Sequence, residues 1–479
     1  MTLSFLLLSV TMAREVSLND ALQAAWDDNT DVAVAMAEVL ASEGRELSAR
    51  GVGDIQLGLN ANYSPMVSEG RGQGFVYRLD QAMAGWGSSL SQTLPTGTTW
   101  NLKFNGIRTP PAEYSFSVSG QEVTETTDTT HQTNFALEFS QQLLAGHRLS
   151  YNLRSISTAE NTTNQSELRL QSARIAVGLD TARAYWDLAL ASGSKDLAEN
   201  AVVVATEESR VVSALLEGGS AAPVDSARAA SALATAELSL LDTEEGLLAA
   251  MDNLARLTGW EVGEELLPST LPGEVQVGLN VDMQSSVEAT LASNPNIALQ
   301  RLALDQAEAE VSWARHATLP NLSLVGQVGW SGYEEGKLSA SLAELTSMAL
   351  PSHFVGIEFN APLGNRASTG MLHTQTAMLA MSHANAEAAT NALIQQVASA
   401  VRTLQSADQR VELSDRTVEL AQQTLAAEVA LRDAGRGLER EVLQAQSSLI
   451  QMRQNALRAR IDYRKALVEL RGLRGELLQ

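Results

Sequence analysis

The chain has 479 residues, a formal net charge of −23 and a sequence pI of about 4.7. Such an acidic chain argues against a nucleic-acid partner, because phosphate binding needs basic patches. The absence of cysteine excludes disulfides, thiolate metal sites and a lipid-modified N-terminal cysteine. No run of about 18 apolar residues offers a membrane-spanning helix.

The chain opens on a short apolar segment, residues 3–12, followed by the small residue Ala13. This pattern is typical of a secretory signal peptide, although the positive residues that usually precede the apolar core are missing. We therefore expect residues 1–13 to be a signal peptide that is cleaved after Ala13, and the rest of the chain to be exported.

The two halves of the chain repeat one another in the same order. The matching segments keep their own offsets, which indicates a long colinear duplication and assembly about one axis or core. Residues 17–31 match 282–296 (282 − 17 = 265), residues 138–139 match 358–359 (358 − 138 = 220), and residues 257–259 match 473–475 (473 − 257 = 216).

Several segments alternate apolar and polar residues with a period of two, which predicts strands with one apolar and one polar face. A soluble sandwich and a closed membrane barrel both fit this pattern, and strands of about 9–11 residues are long enough to span an outer membrane. The alternating segments are residues 55–63, 100–105 and 135–140 in the first half, and 322–330 and 355–359 in the second.

Between these strands lie two long segments without proline, residues 148–216 and 367–434. They are rich in Ala, Leu, Gln, Glu and Arg, which favour helix. A helix of roughly 65 residues is about 100 Å long, a length found in coiled coils and tubes. These helices favour the membrane barrel over the soluble sandwich.

The pattern predicts an α+β membrane protein built from a duplicated repeat. The duplication divides it into helical and strand segments. They are first-repeat helices at 14–50 and 147–259, first-repeat strands at 51–146, a linker at 260–281, second-repeat helices at 282–316 and 365–475, and second-repeat strands at 317–364.

The first-half strand region is about 45 residues longer than the second (139 − 55 = 84 against 359 − 320 = 39). Residues 86–100 in this excess read as an added β-hairpin with a turn at Pro95-Thr96-Gly97. Two outcomes stay open: the hairpin widens the barrel from four to six strands per subunit, or it folds over the mouth of the barrel.

The order and spacing of several short motifs resemble the TolC-like family of outer-membrane efflux proteins, over nearly all of residues 15–479. The motifs are Ser17-Leu18, Ala21-Leu22 and Asn29; Asn294-Pro295 and Leu319-Pro320; Gly364-Asn365-Arg366 after Phe359-Asn360-Ala361-Pro362-Leu363; Gly435 with Glu441; and the closing residues Leu257–Gly259.

This resemblance implies a homotrimer in the outer membrane, with lipid around a shared β-barrel that continues into a periplasmic α-helical coiled-coil barrel. It implies docking on a periplasmic adaptor protein and an inner-membrane transporter, and a function as a passive exit duct for small molecules. The alternatives are a type I protein-secretion duct and, from another class, a soluble coiled-coil tether with a β-domain.

Two glycine-containing turns, residues 216–225 and 433–441, break the helices and read from the sequence as ordinary αα-hairpin turns. The resemblance implies that they are periplasmic tips that contact the adaptor and close the channel. The implied adaptor contacts are Gly218, Gly219, Ser220, Ala221, Gly435, Gly437 and Leu438.

The resemblance also implies a gate at these tips. Glu441 keeps the family's acid six residues after the tip glycine, whereas Gln444 departs from a second acid. Asp225 corresponds to the acid that ties the first hairpin to the second. The family's arginine partner falls on Gly437, so Arg436 or Arg432 is the expected substitute.

Catalytic, cofactor and metal sites are not expected. The six histidines lie in no triad or metal spacing, and a Walker phosphate loop is absent. His373, Met378, Met381 and His383 share one helix and are read as scattered surface residues rather than a soft-metal site. Glu138 and Glu358 occupy matching polar-face positions, either as an acidic ring in the lumen or as solvated surface acids.

Overall fold

The computed structural model describes residues 14–72, 75–111, 113–118, 121–219, 222–270, 278 and 281–478. The predicted signal peptide lies outside them, as does much of the predicted linker. The chain forms two compact units. The helical unit comprises Met1–Leu40, Asn164–Arg301 and Ala384–Gln479, and the sheet unit comprises Ala41–Thr163 and Leu302–His383. Within the described ranges, no helix is long and apolar enough to cross a membrane.

The structure confirms the prediction that the two long proline-free segments are helical. The helices are α1 Leu18–Asp28, α2 Thr30–Arg50, α3 Leu149–Asn152, α4 Arg154–Glu217, α5 Pro223–Thr258, α6 Met283–Ser293, α7 Pro295–His316, α8 Leu338–Ser347, α9 Arg366–Asp433 and α10 Glu439–Leu473. Helices α4 and α9 contain 64 and 68 residues. At about 1.5 Å per residue, each is about 100 Å long.

The structure confirms that the alternating segments are strands, and several of these strands are longer than predicted. They are β1 Arg14–Val16, β2 Gln56–Gly72, β3 Phe75–Thr93, β4 Thr98–Thr109, β5 Glu113–Val118, β6 Gln121–Thr126, β7 Thr130–Gln142, β8 Leu266–Pro268, β9 Asn321–Glu335 and β10 Leu350–Asn360. Strands β1 and β8 pair in parallel in the helical unit, and the others form one sheet.

In the described part of the sheet unit, β2, β3, β4, β7, β9 and β10 lie side by side in that order, each antiparallel to its neighbour. Strand β5 pairs with β3 beyond the end of β4, and β6 pairs with β5, so these two strands extend the β4–β7 hairpin. The predicted turn at Pro95-Thr96-Gly97 joins β3 to β4. The added hairpin is therefore paired within the sheet.

The sheet has one polar and one apolar face, because rows of directly paired residues alternate in character. One row across the six strands is Gln56, Ser91, Asn101, Glu138, Gln327 and Phe354. The next row, on the opposite face, is Leu57, Leu90, Leu102, Leu137, Val328 and His353. Trp86 and Phe104 add an edge-to-face contact on the apolar face, with ring centroids 5.0 Å apart.

Helix α8, between β9 and β10, packs on the sheet through a buried serine. The Ser341 hydroxyl donates to the Gly332 carbonyl oxygen at 3.0 Å, and the Thr133 hydroxyl lies 2.9 Å from the same Ser341 oxygen. A Cβ at Gly332 would collide with the backbone of Ser341. The glycine therefore permits the close approach of this helix to the strand.

The helical unit buries small and medium apolar side chains between its helices. One cluster centres on Tyr185 and Leu188 of α4, Leu254 of α5 and Ile461 of α10. A second joins α9 to α10 through residues such as Val401 and Tyr463. Alanines fill many of the remaining buried positions, which lets long helices approach closely.

The duplication is visible as two equivalent junctions between short and long helices. Asn29 separates α1 from α2, and its amide donates to the Leu257 carbonyl oxygen at 2.9 Å. Asn294 separates α6 from α7, and its amide donates to the Leu473 carbonyl oxygen at 3.3 Å. Each asparagine oxygen also accepts the backbone N–H two residues later. The matching Gly259 and Gly475 follow with φ of 74° and 70°.

These junctions predict a specific loss of stability. Asn29→Ala removes a buried hydrogen bond and leaves the Leu257 carbonyl without that donor, so the free energy of unfolding should fall by about 1–3 kcal/mol. Asn294→Ala should act in the same direction. Denaturant unfolding followed by far-ultraviolet circular dichroism measures the change.

Asn200→Ala is the matched control, because the exposed Asn200 amide donates only within its own helix, to Asp196. Its effect should stay within about 0.5 kcal/mol. Equal losses for Asn29→Ala and Asn200→Ala would show that the junctions do not depend on these asparagines.

Candidate functional site

The first predicted tip is a tight turn between α4 and α5. The Gly219 N–H donates to the Leu216 carbonyl oxygen at 3.0 Å, and Gly219 has φ of 72°. The Asp225 carboxylate accepts the Ala222 backbone N–H at 3.4 Å, which caps the start of α5. Gly218 and Gly219 are exposed. The predicted contacts Ser220 and Ala221 lie outside the described residues.

At the second predicted tip, one carbonyl oxygen near the end of α9 accepts two backbone N–H groups of the turn. The Leu431 oxygen accepts the N–H groups of Arg436 and Gly437 at 3.0 and 2.9 Å. A Cβ at Gly437 would lie 2.7 Å from the Arg432 backbone nitrogen. This explains why a glycine stands where the resemblance led us to expect an arginine. Gly435 has φ of 69° and fits the left-handed conformation of this turn.

Arg432 contacts an acid of the first hairpin other than the expected Asp225. Its guanidinium lies 3.5 Å from Glu208 on α4 and 3.7 Å from Glu439 at the start of α10. It also contacts the adjacent Asp433 at 3.1 Å. The Glu208 side chain is only 9% exposed, so Arg432 compensates an acid that is largely removed from water.

The expected pairing of Asp225 with Arg432 or Arg436 needs correction within the chain. Asp225 caps its own helix and pairs with Arg228 one turn later, at 3.3 Å. The Arg436 side chain is exposed. Asp225 is thus satisfied by local contacts, and Arg432 pairs with Glu208 instead. A contact between Asp225 and an arginine of a neighbouring copy stays a prediction.

Glu441, the predicted gate acid, is paired by its neighbour. The Arg440 guanidinium donates two hydrogen bonds to Glu441 Oε1, at 3.1 and 2.5 Å. These hydrogen bonds raise the pKa of Arg440 above its ordinary value. The predicted acidic position therefore carries a cation beside it, which reduces its net field.

Gln444 lies one turn after Glu441 and lines a cleft of about 560 Å³ between α4, α5 and α10. The same cleft is lined by Glu208, Arg228 and Arg440. Of the predicted gate residues, Gln444 lines this cleft. Arg432 and Glu441 contact two of its lining residues, Glu208 and Arg440. Sequence reasoning missed Glu208 and Arg440, because neither matches a motif position.

Both tips also carry exposed apolar side chains. Leu438 is 63% exposed at the second tip, and Val224 is 53% exposed at the first. Leu438 was predicted as an adaptor contact, and Val224 was missed because it follows Pro223 and reads as an ordinary first-turn residue. Gly218, Gly219 and Gly435 are also exposed at these hairpin ends.

The two strand acids lie on the polar face, in different settings. The Lys103 amine contacts Glu138 at 2.8 Å, whereas no ion pair involves Glu358 among the described residues. Both acids line a cleft of about 520 Å³ with Asp54, Asn101 and Gln327. They lie four residues apart in register, because Glu138 aligns through Gln327 with Phe354.

His373 and His383 are exposed on α9. Across the described ranges, no three His, Asp or Glu side chains are placed to share a metal ion.

A sheet that is apolar on one face and polar on the other, in a chain with helices of 64 and 68 residues, fits the class of outer-membrane channel proteins. The sequence profile described as "Outer membrane efflux protein" matches residues 111–260 and 287–476. The chain belongs to this family. It is an outer-membrane channel protein of efflux systems that extend into the periplasm.

Solved structures agree with this fold. VceC from Vibrio cholerae is 16% identical, with a TM-score of 0.67 and coverage of 96% of each chain. The open state of MtrE from Neisseria gonorrhoeae is 17% identical, with a TM-score of 0.66, over 96% of this chain and 88% of that chain. CmeC from Campylobacter jejuni is 14% identical at a TM-score of 0.66, over 96% and 85%. A sequence search of curated proteins gave no match.

The contact of Arg432 with Glu208 predicts a measurable effect on opening. A partly buried pair at this distance contributes about 1 kcal/mol, or about a fivefold change in the open–closed equilibrium for each chain. Arg432→Ala and Glu208→Gln should each raise the open probability of single channels in planar bilayers. The double variant should add little, because both changes remove the same contact.

Arg210→Ala is the control, because it breaks an exposed pair with Glu207 one residue from Glu208. An equal effect of Arg210→Ala would refute the assignment. Asp225→Ala should leave opening unchanged, unless its partner is supplied by a neighbouring copy.

The Arg440–Glu441 pair predicts opposite changes in ion selectivity. Glu441→Gln should lower the preference for cations, and Arg440→Gln should raise it by freeing the carboxylate. Reversal potentials across a salt gradient measure both. Glu245→Gln, on the exposed surface of α5, is the control. Changes of the same sign for the two tip variants would show that this pair does not face the conducting path.

Proposed function

We propose that three copies of this chain assemble into a passive exit duct for small molecules. The strands of the sheet unit close a shared β-barrel in the outer membrane, and the long helices form a coiled-coil barrel in the periplasm. In segment terms, residues 51–146 and 317–364 are the membrane part. Residues 14–50, 147–259, 282–316 and 365–475 are the periplasmic part, and residues 260–281 link the repeats.

The observation that carries this proposal is the sheet with two different faces. Its apolar row from Leu57 to Val328 suits lipid, and its polar row from Gln56 to Gln327 suits a water-filled lumen. In a soluble sandwich the apolar face would be covered by a second layer. Here Leu57, Leu137, Val328 and Ile357 are 65%, 42%, 44% and 69% exposed, so the face is largely uncovered.

The helical tips support docking on partner proteins. Channels of this family work in tripartite pumps, so the partners are a periplasmic adaptor and an inner-membrane transporter. The tips offer an adaptor the exposed apolar side chains of Val224 and Leu438 and the exposed turns at Gly219 and Gly435. Energy for export is supplied by the transporter, and the duct acts by opening at the hairpin ends, where Arg432 contacts Glu208.

Family membership favours efflux over the type I protein-secretion alternative, which uses the same architecture. It also favours the channel over the soluble tether, because a tether would not need an uncovered apolar sheet.

The test of the duct is its assembly and conductance. Light scattering of the detergent-purified protein should give the mass of three chains of 51.1 kDa after subtraction of detergent. Planar bilayers should show discrete channel openings. Glu358→Gln should weaken cation preference slightly, since this acid has no salt-bridge partner among the described residues, with Glu245→Gln as control. A monodisperse monomer without conductance would overturn the proposal.

A further inference from the structure

The sheet has two open edges. In the described part of the chain, β2 pairs only with β3, and β10 only with β9. Their apolar side chains are more exposed than those of inner strands: Leu59 is 74% and Ile357 69% exposed, against 42% for Leu137. Unpaired backbone groups cost several kcal/mol in the hydrocarbon of a membrane. Both edges therefore need a partner strand.

We propose that β2 of one copy pairs with β10 of the next, so that each copy contributes six strands and three copies close an 18-stranded barrel. The inference rests on the proposed function, because it takes the threefold assembly from it. What it adds is the identity of the edges, the number of strands and the register of the joint.

Strand direction permits this joint. Five antiparallel pairings separate β2 from β10, so the two edge strands run in opposite directions. Joining β10 to the β2 of a second copy therefore continues an all-antiparallel sheet. An odd number of strands per copy would have forced a parallel joint.

The offset between the ends of β2 and β10 gives the tilt of the strands relative to the barrel axis. The row that starts at Gln56, the first residue of β2, reaches Phe354 on β10, and β10 continues for 360 − 354 = 6 residues to Asn360. Six residues correspond to about 20 Å along the strand, across five strand spacings of about 24 Å in total. The resulting tilt of about 40° lies in the range of about 35–45° found in closed barrels.

The tilt also gives the sheet a suitable height. Strand β10 has 11 residues, so its ten intervals rise about 26 Å along the barrel axis at this tilt. The apolar band of outer-membrane barrels is about 25 Å tall.

The faces of the edge strands restrict the register. The joint between two copies adds a sixth strand spacing. Over six spacings, the offset along the strands, here called the stagger, is about seven residues. Odd-numbered residues are apolar on both edges, so a stagger of seven would place Leu59 opposite the acid Glu358. A stagger of six places Leu59 opposite Ile357, and a stagger of eight places Ala61 opposite Ile357. Only these even values keep the apolar face continuous.

A four-stranded contribution from β4, β7, β9 and β10 conflicts with the pairing. Strand β4 already has β3 on one side and β7 on the other. Making β4 an edge would break its pairing with β3 from Thr99 to Arg108. The lumen also differs, because the barrel diameter is about 36 Å for 18 strands and about 24 Å for 12.

Disulfide cross-linking tests the joint in the full-length protein, and the chain has no cysteine to give background. Ile357→Cys is combined with Leu59→Cys or with Ala61→Cys, and the proteins are oxidised in outer-membrane vesicles. Within one copy these positions are five strands apart, about 24 Å, so a disulfide must join two copies. We expect dimers and trimers on non-reducing gels from one of these two variants, lost on reduction.

Matched variants give the opposing outcomes. Asn60→Cys with Ile357→Cys places the thiols on opposite faces and should stay uncross-linked. Cross-linking of Ile357→Cys with Trp100→Cys or Leu102→Cys would show closure through β4 and overturn the inference. Absence of cross-links from every pair in a protein that is trimeric by mass would also overturn it.

The unmodified protein gives an independent measurement. An electron-microscopy map should show 18 strands around the barrel, and 12 would overturn the inference while leaving the trimeric duct intact. A monomeric mass would instead contradict the proposed function itself.

Discussion

The constraint on which the structure depends is that backbone polar groups in a membrane must be paired within protein. The sheet unit satisfies its inner strands by antiparallel pairing, but β2 and β10 each keep one open edge among the described residues. An apolar face that is left uncovered adds the same demand, because Leu59 and Ile357 suit lipid rather than water. In the proposed duct, the pairing that a single chain leaves open is supplied by further copies of the same chain.

The duplication explains how one chain supplies both short and long helices at equivalent positions. Asn29 and Asn294 each end a short helix, accept a backbone N–H two residues later and donate to the last turn of a long helix of the same repeat. One side chain thus satisfies groups at two helix ends, which would otherwise lack partners. The repeats diverge in their strands, where the first has gained the β3–β4 hairpin and the second has helix α8. Variation is tolerated there because added strands extend a sheet without disturbing the helix junctions.

Periodicity was enough to predict the elements but not their partners. The strands around Leu57, Leu137 and Ile357 and the helices α4 and α9 follow from local alternation and composition, which a sequence displays directly. The resemblance offered Arg432 or Arg436 as the partner of Asp225, and Arg432 instead pairs with another acid of the first hairpin. The acid that binds it, Glu208, lies 224 residues earlier and belongs to no motif, so only the packing of α4 against the second hairpin shows it. The place of the β3–β4 hairpin was equally undecidable from sequence, because pairing within the sheet and folding over a mouth demand the same alternation.

Charge pairing changes how the acidity of this chain should be understood. A net charge of −23 suggests strongly acidic rings, yet Glu138 is paired by Lys103, and Glu441 by Arg440. A carboxylate beside a cation projects a dipole, whose field falls off faster than that of a single charge. The groups that keep a full field are acids such as Glu358, which has no ion-pair partner within the described residues. We therefore expect an unpaired acid that faces water, such as Glu358, to contribute more to cation selectivity than the paired acids Glu138 and Glu441.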